Sequence, residues 1–167
     1  MTITPEQLFE KAKSTHGQIA YNAALADSFL YEIFHKFAGC KRNVSKAIYF
    51  TIDSLPARIS LVKRVAISVG TEEDTLTMLL TLSEAVKASS NHRNGFVHSF
   101  LLKQYDIDDD DFRIKIINPK RGPDGGTQVN EALLAEGEKK SFDLLLLVQD
   151  EFRALCQKLG IRPQVSL

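Results

Sequence analysis

The stretch Gln18–Ala38, QIAYNAALADSFLYEIFHKFA, decides the fold. Ile19, Ala23, Ala26, Leu30, Ile33, Phe34 and Phe37 recur in it at spacings of three and four, which sets them on one stripe of an α-helix. Gly39 follows, well placed to stop that helix. Upstream, Pro5 to Thr15 is expected to form a turn of helix leading into this element.

Three further segments repeat the pattern. Ile48, Ile52, Leu55, Ile59, Val62 and Ala66 form a second stripe that keeps its phase through Pro56. That implies either two short helices nearly in line, with Ser54 capping the second, or one kinked helix ended by Gly70. Thr71, followed by Glu72, Glu73 and Asp74, reads as the N-cap and acidic first turn of a third helix running to about Leu102. Its core stripe is Leu79, Leu82, Val86, Val97 and Phe100. Asn130 is placed to cap a further helix at Glu131, with Gly137 a possible break. Phe142, Leu145, Val148, Phe152, Leu155 and Leu159 then line the last long helix, which Gly160 and Pro163 stop.

Residues 103–129 differ in character. Asp106 and Asp108 to Asp111 form an acidic run, Phe112 to Ile117 alternates apolar and basic residues, and Asn118 to Gly126 is turn chemistry. Thr127 to Val129 would return as a partner strand. The whole therefore reads as an all-α protein, a four-helix up-and-down bundle with a small β-hairpin-like insertion, about 103–129, before the last helix.

With 167 residues, the chain suits a single domain with one sizeable core. Lys and Arg number 21 and Asp and Glu number 21, so indiscriminate nucleic-acid binding, which needs a basic surface, is not expected. The longest apolar stretch, Leu144 to Val148, is far short of the ~20 residues of a membrane span, and Met1 to Glu6 resembles no secretory signal. A cytoplasmic protein without a membrane partner is expected. Cys40 and Cys156 form no metal-type pair and read as reduced, buried, small hydrophobes. The acidic run lacks the glycine and distal glutamate of an EF-hand loop.

One segment breaks the bundle pattern. On a helix advancing about 100° per residue, Arg93 falls inside the apolar arc of Leu79, Leu82, Val86, Val97 and Phe100. Lys87, Ser90, Asn91, Asn94 and His98 share an adjacent polar arc. An arginine on an apolar stripe either meets a carboxylate, here Asp27, Glu32, Asp53 or Glu84, or faces something other than the core. Arg93 and His98 diverge by about 140° on an ideal helix, so a tight pairing needs a second copy across a two-fold axis. Gly95 weakens the helix between them by about 1 kcal/mol relative to alanine, which would admit distortion or a partner's backbone. His16, His35 and His92 show no partner pattern and read as surface residues.

Arg93-Asn94-Gly95-Phe96-Val97-His98 resembles the arginine–four–histidine motif of the HEPN superfamily, where a polar residue often follows the arginine. The context is similar too: a long first helix, a second element with Ala57 and Arg58, the motif late in the third helix, and a final helix. The resemblance implies one HEPN-like domain over residues 1–167 that forms a homodimer with the two motifs meeting at the interface. Active members are metal-independent endoribonucleases, often toxins or phage-defence proteins, and use no cofactor. Carried over, His98 is the general base or acid at the ribose 2′-hydroxyl, Arg93 holds the scissile phosphate and Asn94 orients it. Arg58, Lys87 and Asn91 would bind RNA, and a protein antitoxin or regulator is an implied partner. The alternative is a catalytically inactive HEPN-like helical dimer that binds a protein partner, a nucleotide or RNA. The neutral charge, Gly95 and Phe100, where toxin members often carry a tyrosine, favour it.

Overall fold

A computed structural model describes residues 3–97, 100–106, 111–117 and 127–162. The chain is predominantly helical, with α1 (Pro5–Ala38), α2 (Arg42–Thr51), α3 (Leu55–Ser68), α4 (Glu73–Val97) and α5 (Glu131–Lys158). Strands β1 (Phe100–Asp106), β2 (Asp111–Ile117) and β3 (Thr127–Gln128) lie between α4 and α5 in the chain. By internal contact the chain divides into two units: Met1–Ala23 with Ser90–Asp143, and Ala24–Ser89 with Leu144–Leu167. No helix among the described residues is long and apolar enough to cross a membrane.

The second unit holds the larger core. Leu30, Ile33 and Phe34 of α1 are buried with Val62 of α3, Leu79, Leu82 and Val86 of α4, and Val148, Phe152 and Leu155 of α5. The Phe29 and Phe152 rings approach to 4.8 Å between centroids. Each such side chain contributes about 1.5–3 kcal/mol by leaving water. The second apolar stripe resolves into two helices. Ile52 turns extended (φ −84°, ψ 115°), and Ser54 Oγ accepts from the Ala57 amide at 3.3 Å to cap α3. Pro56 stands in the first turn of α3, where its missing N–H has no partner to lose. The break also shifts the phase of α2. Ser45 and Tyr49 face inward, whereas Ile48, expected in the core, is 45% exposed.

Gly70 (φ 73°) ends α3 in a left-handed turn: its amide donates to the Ile67 carbonyl and the Thr71 amide to that of Ala66. Thr71 therefore finishes α3 instead of capping α4, which starts two residues later. α1 is one helix from Pro5, longer than the expected Gln18 start, and α5 runs unbroken through Gly137.

Tyr49 is fully buried, and its hydroxyl donates to Asp27 Oδ1 at 2.8 Å. Burial, reinforced by the Asp27 charge, raises the phenol well above its ordinary value of 10. A raised folded-state value means stability is intact below the unfolded value and falls as pH climbs above it. Above about pH 10, Tyr49 is expected to cost about 1.4 kcal/mol of stability per pH unit, since the unfolded chain alone releases that proton. Denaturant titrations from pH 9 to 11.5 should show this slope, reduced in Tyr49→Phe. An unchanged slope in that variant refutes it.

In the first unit, Ala12, Val129 and Leu134 form a small core against Leu8 and Phe9. Asn130 Oδ1 accepts from the Leu133 amide at 2.8 Å, capping α5 as the sequence suggests. Ser141 is buried and its hydroxyl accepts from Asn22 Nδ2 at 3.0 Å, while the neighbouring Phe142, expected inward, is 55% exposed. α4 stops at Val97 rather than near Leu102, and Phe100, expected on its stripe, begins β1. β1 pairs antiparallel with β2 over seven residue pairs from Phe100–Ile117 to Asp106–Asp111, and β2 with β3 over two. The ladder gives residues 100–106 backbone partners that a continued helix would have supplied internally.

Candidate functional site

The described part of the motif, Arg93 to Val97, occupies the end of α4, and its Phe96 side chain packs against residues of the first unit. Phe96 is half-buried with its ring over Gly137 of α5. A Cβ added at Gly137 would lie 2.5 Å from Phe96 Cζ, so only glycine admits the ring there. The His92 ring stands 5.2 Å from that of Phe96, and His16 of α1 meets it edge-on at 5.9 Å. His92 Nε2 lies 2.9 Å from the Gly137 carbonyl, and His16 Nδ1 lies 2.8 Å from the Ala12 carbonyl. Because a carbonyl only accepts, His92 carries a proton on Nε2 and His16 on Nδ1. Neither histidine is the surface residue its sequence setting suggests. His35 also departs, its Nδ1 lying 2.9 Å from Ser45 Oγ in the second unit.

Gly137→Ala is expected to destabilise the protein by about 0–2 kcal/mol, the cost of about 1–3 kcal/mol for moving the aromatic ring out of its seat less about 1 kcal/mol gained in helix propensity. Phe96→Leu in the same chain should recover most of that loss. Thermal melts of the two single variants and the double variant check this, and strict additivity would refute the contact.

Arg93 is half-buried, and its Nε is enclosed without any hydrogen-bond partner. Of the four acids expected to meet it, Asp27 pairs with Arg58, Glu32 with Arg42 and Glu84 with Lys87, while Asp53 is exposed. A guanidinium stays charged and offers five donors, so one left without an internal acid is equipped to receive an anion. The Nε2 of His16 is likewise enclosed and unpartnered. Asn94 and Asn91 are exposed in the same unit. His98 lies outside the described residues.

Lys87 and Arg58 belong to the other unit. Lys87 reaches Glu84 at 3.4 Å and is about half exposed. Arg58 is more firmly committed: it pairs with Asp27, donates from Nε to the Ile52 carbonyl at 2.7 Å, and stacks 5.3 Å from the Phe50 ring centre. Its guanidinium knits α1 to α3 instead of standing open to solvent, with a side chain only 17% exposed.

Both cysteines are free; Cys156 is buried, its thiol pushed up to about 11 by burial, and Cys40 is half-buried. Among the described residues, no three of His, Cys, Asp and Glu converge as metal ligands. No protein-family model matches the chain, and no curated protein or solved structure shows significant similarity to it.

Proposed function

We propose that this chain is a HEPN-type, metal-independent endoribonuclease, a four-helix domain with an inserted hairpin that works as a homodimer, of the toxin or phage-defence kind. The observation that carries the reading is Arg93, a half-buried cation whose enclosed Nε has no partner. An internal ion pair would have explained an arginine on an apolar stripe by structure alone. Its absence among the described residues leaves an external anion as the natural counter-charge. The resemblance of Arg93–His98 to the family motif names that anion as an RNA phosphate.

In the proposed reaction His98 removes the proton of a ribose 2′-hydroxyl, and that oxygen attacks the adjacent phosphorus. The 5′-oxygen of the next nucleotide leaves with a proton, so the products carry a 2′,3′-cyclic phosphate and a 5′-hydroxyl. Arg93 neutralises the phosphate and Asn94 orients it. An imidazole suits this exchange because its unperturbed value lies close to neutral pH, and positioned proton transfer is worth about 10²–10⁴-fold. A second copy would bring its own Arg93 to the seam. Tyr21 and Phe142, large apolar side chains exposed in the unit that carries the motif, are available for such burial.

The test is incubation of purified protein with mixed RNA in excess chelator, with the product ends identified. Cleavage giving cyclic-phosphate ends, and lost in His98→Ala, supports the reading. No cleavage, or cleavage indifferent to that substitution, sinks it and favours a catalytically inactive helical module. A monomeric mass by sedimentation would remove the composite site.

A further inference from the structure

A cleft of about 400 Å³ opens in the second unit, where the end of α1, the start of α2 and the chain after α5 come together. Lys36, Arg42 and Arg162 line it, with His35, Glu32 and Cys40. None of these residues belongs to the site described above.

The charges are unequal. Arg42 is matched by Glu32, whose side chain is only 14% exposed, so that pair forms part of the wall. Lys36 and Arg162 bring two more cations, and among the described residues no further carboxylate lines the cleft. Three positive charges against one negative leave an excess of two. The N-terminal end of α2, whose N-cap Lys41 makes no side-chain cap bond, adds the positive pole of a helix dipole. His35 and Lys36 also stand in the last turn of α1, where they offset the dipole of that helix. That role accounts for their place in the sequence, but not for Arg162 arriving from the far end of the chain to the same cleft.

We propose that this cleft binds a small organic phosphate monoester. At neutral pH a phosphate monoester carries about 1.5–2 negative charges, which balances the excess. Lysine and arginine ammonium and guanidinium groups give phosphate its strongest hydrogen bonds. The volume exceeds what phosphate alone would fill and falls in the range of small-ligand sites, about 300–1,000 Å³. Gly39 and Ile161 supply uncharged wall for the organic part.

The test is calorimetric titration of the full chain with ribose 5-phosphate, inorganic phosphate and neutral ribose. Ribose 5-phosphate is expected to bind, more tightly than inorganic phosphate, and ribose to give no heat. Lys36→Glu and Arg162→Glu should each weaken binding by about tenfold or more, and raised salt should weaken it too. Both side chains are exposed, so circular dichroism and melting are expected to stay as in the parent chain. The absence of heat with ribose 5-phosphate overturns the proposal, as does unchanged affinity in the Lys36→Glu/Arg162→Glu variant. Equal affinity for inorganic phosphate overturns the assignment of an organic ligand. The cleft lies in the unit that contains neither Arg93 nor Asn94, so the result is independent of RNA cleavage.

Discussion

Arg93→Ala is expected to lower RNA cleavage by about 10²–10³-fold, the usual cost of deleting one donor aimed at charge that develops in a transition state. The same substitution should leave folding stability within about 1 kcal/mol of the parent chain, or raise it. Truncating an arginine that holds an internal acid strands that acid and costs several kcal/mol. Arg93 has no such acid among the described residues, and its enclosed Nε is already unpaired, so removal strands nothing. Arg93→Lys keeps the charge but loses the planar fork, and should fall between the two in cleavage. Chemical denaturation alongside gel-based cleavage separates the possibilities. A large loss of stability would mean that Arg93 is a structural cation, and undiminished cleavage would remove it from the reaction.

The helical frame was legible because burial follows periodicity. Ile19, Ala23, Ala26, Leu30, Ile33, Phe34 and Phe37 are all buried, as their spacing demands. The places where the reading slipped share a cause: a pattern of apolar residues fixes a face but not where an element ends. Phe100 continues the α4 stripe in sequence, yet it also fits a strand, and pairing with 111–117 decided the matter through contacts distant in sequence. Ile48 continued a stripe across the break at Ile52–Ser54, which reset the phase.

The candidate site was only half legible. Arg93 stands out from sequence alone, as a charge on an apolar arc. The histidines that flank Phe96 do not, since His16 and His92 are 76 positions apart and meet only through tertiary packing. Gly137 carried the one available signal. A glycine inside a strongly helical stretch weakens it by about 1 kcal/mol against alanine, and such a residue usually has a packing reason. Here that reason is the Phe96 ring, not a break in the helix.

Asp27→Ala carries the largest expected effect on stability, about 3 kcal/mol, or roughly 6–12 °C in melting temperature for a chain of this size. Asp27 accepts from Tyr49 at 2.8 Å and pairs with Arg58, and both side chains of the ion pair are only 17% exposed. An exposed pair would be worth about 0–1 kcal/mol. Removing the acid from a largely enclosed pair leaves a guanidinium and a phenol without their acceptor, and breaking a fully buried pair costs about 3–5 kcal/mol. The residual exposure sets the expected value at the low end of that range. Asp27→Asn should cost less, because the amide oxygen still accepts from Tyr49. Asp27→Leu combined with Arg58→Met should recover much of the loss, since most of the cost comes from stranding one charge and not from losing the pair. Denaturant melts of the singles and the double give the coupling directly. A loss below 1 kcal/mol for Asp27→Ala, or simple additivity in the double variant, would show that water screens this pair and that the junction of α1 with α3 is held by its apolar contacts alone.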